Sequence, residues 1–235
     1  MKFLSIDSPL MVFLGKVADL MWVNILTILC CIPVITAGAA FTSMHYVCLK
    51  IVRDEECYIT KDYFKSFKLN FRQATLIWLM MLVLFFIYAA DFYLIYKKAV
   101  EFPSWMNMLF LGVVILTFLV IIMVFPVLAK FDNTVPQTIK MAALAAVAQL
   151  PKTVLSLVVI VAPFVLGAIF YQIIPVVILL GMSVPAFVCA LMYNKLFRKI
   201  EERFAEQNPV PEEEPEDDGE RIFSDAPILP PDTKE

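Results

Sequence analysis

The feature that most constrains the fold is a stretch of 30 residues, Leu20 to Leu49, that contains no Lys, Arg, Asp or Glu. About 20 consecutive apolar residues are enough for a helix to cross the hydrocarbon core of a bilayer. Pro33 and Gly38 interrupt the stretch, and a proline in lipid frees a backbone carbonyl that needs another hydrogen-bond donor. The nearby hydroxyl donors are Thr36, Thr42 and Ser43. The stretch therefore predicts a kinked first membrane span over about residues 20–44.

The composition extends this prediction to the whole chain. Hydrophobic residues make up 61% of the sequence and charged residues only 17%, whereas ordinary soluble domains carry about 25% charged residues. The sequence has six glycines and no segments that alternate polar and apolar residues, so an outer-membrane barrel is disfavoured. The predicted fold is an all-α, polytopic membrane helical bundle.

Four further apolar segments predict spans at about residues 74–96, 105–129, 153–171 and 175–194. Residues 153–194 carry no charge; as one helix they would be about 63 Å long, twice the hydrocarbon thickness, so two spans are expected. The total is about five transmembrane helices plus cytoplasmic interfacial helices. Residues 1–206 form the predicted transmembrane domain, and residues 207–235 a disordered, acidic, proline-rich tail.

A short helix between the first two spans combines basic and aromatic side chains. Residues of each kind recur at helical spacing between Thr60 and Arg72, and such a helix fits the interface with anionic headgroups. Nucleic-acid binding uses the same residue types, but a segment tethered between two spans makes it improbable. A second helix is predicted from Thr134 to Leu150, where Thr134 and Gln137 have capping-box spacing. The predicted membrane-interface residues are Lys61, Phe64, Lys65, Phe67, Lys68, Phe71 and Arg72.

The distribution of Lys and Arg predicts the orientation, because these residues concentrate on the cytoplasmic side. Five spans place residues 50–72, residues 130–152 and the C-terminal segment on the same side. Those segments hold 15 of the 19 basic residues. The expectation is an N-terminus outside the cell and a C-terminus in the cytoplasm.

No enzyme site is recognisable in the sequence, and we predict no catalytic, cofactor-binding or metal-binding residue. The adjacent Cys30 and Cys31 lack a partner motif and are expected to pack as small apolar groups. His45 is the single histidine and is expected to be structural or interfacial. Asp91 is the one acid within a predicted span, so either a structural role at headgroup depth or a substrate or proton role fits it. The candidate functional residues are Asp91, His45, Asp132 and Asn133.

Several stretches carry a resemblance to a known family: LTILCCIPVITAGAAFTSMHYVCLKIVRDEE, YFKSFKLNFRQATLIW, FPVLAKFDNT with the later QLPKT, and VPAF followed by LMYNKLF. They resemble the YesL family of bacterial integral membrane proteins, which has no assigned activity, over roughly residues 16–204. The resemblance implies a multi-span protein of the bacterial cell membrane. It also implies a genomic setting beside carbohydrate ABC transporters and polysaccharide-degrading enzymes. The acidic tail departs from the family's usual short ending.

Three classes of function are consistent with the sequence. The first is a non-enzymatic accessory or regulatory protein for carbohydrate uptake, whose partners are the lipid bilayer and an ABC permease or another membrane protein, with no nucleic acid. Gln149-Leu150-Pro151 is similar to the segment by which sugar-type permeases contact their ATPase, although the Glu-Ala-Ala start and central glycine are missing. The alternative is a stand-alone small-solute transporter or channel. An intramembrane enzyme is the third class, and the catalytic groups for it are absent from the sequence.

Overall fold

The computed structural model describes residues 9–97, 103–131 and 133–207. Within those ranges the chain is helical and contains no strand, so the predicted all-α polytopic membrane bundle is confirmed. The chain divides into two units, residues 1–195 and 196–235, and of the second only the end of the last helix is described. The predicted tail lies outside the described residues from position 208 onward. The helices are α1 (Pro9–Cys31), α2 (Ala37–Val52), α3 (Ile59–Tyr96), α4 (Ser104–Lys130), α5 (Val135–Ala148), α6 (Leu150–Ile169), α7 (Ile174–Leu180) and α8 (Ser183–Gln207).

Helices α1 and α2 form an antiparallel hairpin, which corrects the prediction of one kinked span over residues 20–44. The Lys16 ammonium, in the first part of α1, lies 2.7 Å from the Asp54 carboxylate, just after α2. Because α1 continues for another 15 residues, or about 22 Å, beyond Lys16, the chain must reverse to bring Asp54 back. The five-span scheme placed the N-terminal segment and the loop after Lys50 on opposite sides. The shared end of the hairpin does not fit that scheme.

The reversal takes only residues 32–36, where Pro33 precedes a single 3₁₀ turn, Val34–Thr36. The carbonyls that lose their helical partners find donors nearby. The Thr36 hydroxyl donates to the Cys30 carbonyl at 2.6 Å, and the Trp78 indole N–H donates to the Val34 carbonyl at 2.8 Å. Of the three predicted hydroxyl donors, Thr36 donates to a carbonyl at the end of α1, whereas Thr42 and Ser43 donate to the Gly38 and Ala39 carbonyls within α2. The proline marks a turn rather than a kink.

Helix α3 corrects a second prediction. Residues 60–72 are not a separate interfacial helix, because they form the first part of one continuous 38-residue helix. At 1.5 Å per residue α3 is about 57 Å long, well beyond a hydrocarbon core of about 30 Å. Its apolar part, from Ala74 to Tyr96, matches the predicted second span, and α4 matches the predicted third.

The α3–α4 pair has two parts that differ in burial. Residues 59–78 of α3 and 119–130 of α4 pack with α1, α2, α5 and α6, and we name this region the inner bundle. Residues 79–97 and 105–118 contain no buried side chain, and we name them the outer hairpin. Within the outer hairpin, the hydrogen bonds and ring contacts join α3 to α4 or stay within one helix, as in the Tyr88–Thr117 bond of 3.0 Å.

Helices α7 and α8 form a broken pair, bent by 56° at Gly181 and Met182. The side chain of Asn24, fully buried in α1, satisfies the backbone at the break. Its amide NH₂ donates to the Ile178 carbonyl at 2.6 Å, and its carbonyl accepts the Met182 and Ser183 N–H groups at 3.1 and 3.0 Å. The predicted continuous span 175–194 is therefore interrupted, and an asparagine from far along the chain stabilises the interruption.

Other boundaries agree with the sequence. A 3₁₀ turn at Tyr171–Ile173 separates α6 from α7, where a connection was predicted. Helix α5 begins after Thr134, whose backbone N–H donates to the Gln137 side chain at 3.1 Å. Five described helices are long and apolar enough to cross a membrane, and the α7–α8 pair makes six if it counts as one span.

Candidate functional site

Polar contacts join the helices at the end of the inner bundle where α2 ends. Lys50 of α2 and Asp62 of α3 form a half-buried ion pair with a separation of 3.0 Å. Arg53 Nε donates to the Asn194 side chain at 2.9 Å, which connects the end of α2 to α8. Cys57 lies in the connection beside this pair, and burial together with the Asp62 carboxylate raises the pKa of its thiol to about 11. These contacts hold the end of α2 against α3 and α8, and the Cys57 thiol is protonated at ordinary pH.

His45 lies on α2 at a cavity of about 230 Å³ between α2, α4, α6 and the α7–α8 break. The other residues around the cavity are apolar or glycine, and no described residue forms a hydrogen bond with the imidazole ring. The lining is Phe41, Met44, His45, Ile121, Ile122, Phe125, Ile160, Phe164, Gly181, Met182, Pro185 and Ala186. The candidate residue His45 is thus placed where its ring can meet a molecule inside the cavity.

An aromatic cluster supports one wall of this cavity. The rings of Phe41, Trp78 and Phe125 lie with their centroids 5.9 to 6.2 Å apart, at tilted angles. Trp78 is fixed in turn by its bond to the Val34 carbonyl at the α1–α2 turn. Ser183 begins α8 directly after the lining residue Met182, and its hydroxyl is buried without a hydrogen-bond partner among the described residues.

Asp91 lies on the outer hairpin, five residues before the end of α3, and its side chain is half-buried. No described residue forms an ion pair or a hydrogen bond with its carboxylate. Lys97 instead lies over the Tyr93 ring, with its Nζ 5.7 Å from the ring centroid. The structure does not bring Asp91 and His45 together, since Asp91 lies on the outer hairpin near the end of α3 and His45 lies on α2 beside the inner bundle.

The remaining candidates lie in the α4–α5 connection. Asp132 lies outside the described residues. The Asn133 backbone carbonyl accepts a short hydrogen bond from the Gln73 side chain, and its own amide contacts Met141 Sδ at 2.9 Å. Asn133 therefore ties the connection to α3 and α5, away from the His45 cavity.

The predicted interface residues form a basic strip and an adjoining aromatic stripe on the first part of α3, and all of them except the half-buried Phe67 are exposed. Lys61, Lys65 and Lys68 are exposed, as is Arg72, while Tyr63 and Ser66 on the opposite face are buried. The rings of Phe64, Phe67 and Phe71 follow one another with centroid distances of 6.4 and 5.5 Å. Both stripes are thus present and accessible on one helix.

Sequence reasoning missed three residues that shape the cavity region: Asn24, Trp78 and Gly38. Nothing in the sequence around Asn24 indicates that its side chain holds a helix break. A Cβ on Gly38 would lie 2.5 Å from the Ala74 carbonyl oxygen, so this glycine allows α2 to touch the α3 backbone. The available signals were a lone amide in an apolar run and a glycine within a span. Neither one identifies its partner.

No group of three or more His, Cys, Asp or Glu side chains that could hold a metal ion occurs within residues 9–97, 103–131 and 133–207. Cys30 and Cys31 are half-buried free thiols at the end of α1.

A known protein family matches one part of the chain. Residues 20–92 match the family described as "Protein of unknown function, DUF624". It is a membrane-protein family of unknown function. The DUF624 region covers about a third of the chain and includes the end of α1, all of α2 and most of α3. No curated protein and no solved structure matches the chain. The DUF624 region contains His45, Gly38 and the basic strip, whereas the α4, α6 and α8 walls of the cavity lie outside it.

Proposed function

We propose that the protein is a non-enzymatic accessory or regulatory component of carbohydrate uptake in the bacterial cell membrane, acting beside an ABC-type permease. The resemblance to the YesL family supports this assignment, and the DUF624 match is consistent with it. The observation that carries the proposal is the outer hairpin, whose side chains are not buried by the rest of the described chain.

The outer hairpin has the properties of a surface for another membrane protein. Large side chains stand free on both helices; Phe86 is 68% exposed and Met108 is 78% exposed. The hairpin also carries Gly112, and no atom lies within 4 Å of the position that a Cβ on this residue would occupy. Small residues allow close backbone approach between helices in a membrane. The partner in this proposal is a permease helix that packs along the outer hairpin.

The revised topology supports a cytoplasmic location for both ends of the described chain. With α1 and α2 as a hairpin, Lys16 joins the 15 basic residues already assigned to the cytoplasmic side, which makes 16 of 19. The positive-inside rule then favours a cytoplasmic α2–α3 connection and an external α3–α4 connection. A reporter fused to the N-terminus or after Glu56 is expected to be cytoplasmic, and one after Lys98 external. An external N-terminal reporter would contradict this arrangement.

The function itself is tested by capture from native membranes. The full-length protein, carrying an affinity tag, is solubilised mildly and its partners are identified by mass spectrometry. A sugar ABC permease should co-purify with the wild type and be depleted by the double change Phe86→Ala and Met108→Ala. The matched control is Val158→Ala, at a position 57% exposed on α6. If neither the double change nor the control change reduces capture of the permease, the outer hairpin is not the partner surface.

The broken α7–α8 pair favours one second candidate, a small-solute transporter. Discontinuous helices border the substrate sites of many transporters, and the α7–α8 pair is discontinuous at Gly181 and Met182. Purified protein in liposomes should then take up a labelled sugar faster than empty liposomes. If uptake matches that of empty liposomes while permease capture succeeds, the accessory role stands and this candidate is excluded.

A further inference from the structure

We propose that the His45 cavity is a binding site for a neutral, membrane-derived amphiphile: an apolar chain that carries one hydroxyl group. The site has three components. They are an apolar lining, one polar ring without a hydrogen-bond partner among the described residues, and a helix break that lies beside the cavity.

The lining determines the class of ligand. Eleven of the twelve residues around the cavity offer only carbon, sulfur or backbone atoms, so they favour an apolar body. The single exception is His45, whose imidazole in its neutral form has one donor and one acceptor nitrogen. A hydroxyl group also donates and accepts, so it can pair with this ring. A carboxylate or an ammonium group would have to be buried among apolar side chains without a counter-charge, which is costly.

The volume sets the size of what enters. An engineered apolar cavity of about 150 Å³ holds benzene, so 230 Å³ has room for roughly nine non-hydrogen atoms. That is the size of a medium-length alcohol, or of the end of a longer chain that leaves the cavity between the helices. A polar water-soluble solute of that size would leave its other hydrogen-bonding groups unpaired.

The cavity is maintained by the fold rather than left by loose packing. Asn24 holds the helix break at Gly181 and Met182 with three hydrogen bonds, so α8 does not continue in line with α7. The cavity wall formed by Phe41 and Phe125 is supported by Trp78. Another apolar cavity, between α6 and α7, has only apolar and glycine lining and offers no such polar group.

Trp78 is a reporter close to the cavity, because its ring lies about 6 Å from two rings that line it. It also lines a separate apolar cavity between α3 and α4, so the His45 variants decide which cavity the quencher occupies. In the full chain, Trp22 and Trp105 are changed to Phe so that Trp78 alone fluoresces. The protein is placed in nanodiscs of unlabelled lipid and titrated with 8-bromooctan-1-ol, whose bromine quenches nearby tryptophan. The comparison compound is 1-bromooctane, which lacks the hydroxyl group.

The expected result is saturable quenching by the bromo-alcohol, with an apparent Kd about three- to tenfold lower than that of 1-bromooctane. His45→Leu should remove this preference and leave binding of 1-bromooctane unchanged, and His45→Gln should retain part of it. Ile160→Phe, which fills the cavity, should weaken both compounds. Thermal unfolding of each variant verifies that it is folded. Equal, non-saturating quenching by the two compounds in the folded wild type would overturn the site.

Discussion

The inner bundle and the outer hairpin are built from the same two helices, yet they use their side chains differently. In the inner bundle, Gly38 brings the α2 and α3 backbones together, and residues 123–129 of α4 are buried without interruption. In the outer hairpin, α3 and α4 bury no described side chain, although the sequence is as apolar there as anywhere. Hydrophobicity therefore does not distinguish a region that packs within the chain from one that faces lipid or a partner. What differs is the contact at each small residue: Gly38 touches the α3 backbone, whereas no other part of the described chain lies within 4 Å of the position that a Cβ on Gly112 would occupy.

Asn24→Leu should be the most damaging single change, because it leaves the Ile178 carbonyl and the Met182 and Ser183 N–H groups without their partner. Each buried unpaired group costs about 1–3 kcal/mol, so the three groups together cost roughly 3–9 kcal/mol if none of them finds a new partner. Thermal unfolding in detergent, followed by size-exclusion chromatography, measures it. The control is Asn107→Leu, at an exposed asparagine on the outer hairpin, which should leave the Tm unchanged. Equal losses from the two changes would erase the distinction between the regions.

The sequence predicts the helices of both regions, but not which of them pack. Tyr96 and Ser104 end and begin helices as expected, because charges and a proline interrupt the apolar pattern between them. The reversal at residues 32–36 escaped prediction because it is short and apolar, so hydropathy is the same on both sides of it. The α7–α8 break escaped for a different reason. The groups that stabilise it come from Asn24, more than 150 residues earlier in the chain.

The candidate site was predictable only in part. His45 stood out as the single histidine, but the sequence placed it at the end of one kinked span, whereas the structure places it within the separate helix α2. The cavity it lines depends on α4, α6 and the helix break, which are tertiary features without a local signal. The basic strip on α3 was found at the correct positions, because a helical period is visible in sequence. The sequence analysis missed that this strip is continuous with the second span. The change from charged to apolar residues after Arg72 resembles a helix boundary, although no Pro or Gly lies between Arg72 and Ala74.

Substitutions of two glycines, one in the inner bundle and one in the outer hairpin, should have smaller effects on stability. Gly38→Ala places a Cβ 2.5 Å from the Ala74 carbonyl oxygen and 2.7 Å from Trp78 Cβ, so the two helices must separate. Overpacking of this kind costs about 1–3 kcal/mol. Gly112→Ala, where no atom lies within 4 Å, should be neutral or stabilise by up to about 1 kcal/mol through helix propensity. The free energy of unfolding in mixed micelles distinguishes them. A stability loss at Gly112 would mean that the outer hairpin is packed after all.

Cys57 tests whether the α2–α3 connection belongs to the ordered inner bundle. Its pKa of about 11 keeps the thiol protonated at pH 7.5, and the thiolate is the reactive form. Maleimide labelling should be about tenfold slower than at Tyr58→Cys in a Cys57→Ser background, because residue 58 is exposed. The Cys57 rate should keep rising up to about pH 11, whereas the control levels off near the ordinary thiol pKa of about 8.5. Identical pH profiles would show an open, solvated connection. Both variants are made without the other cysteines.

The central claim is that the outer hairpin is a surface for a membrane partner, and site-specific photo-crosslinking in native membranes tests it most directly. Benzoyl-phenylalanine is placed at Phe86 and Met108 on the outer hairpin, and at Val158 on α6 as an exposed control. The account predicts one discrete protein adduct, containing a permease subunit, at the two hairpin positions and only lipid adducts at the control. Lipid adducts alone at all three positions, or adducts only to a second copy of the chain, would contradict it.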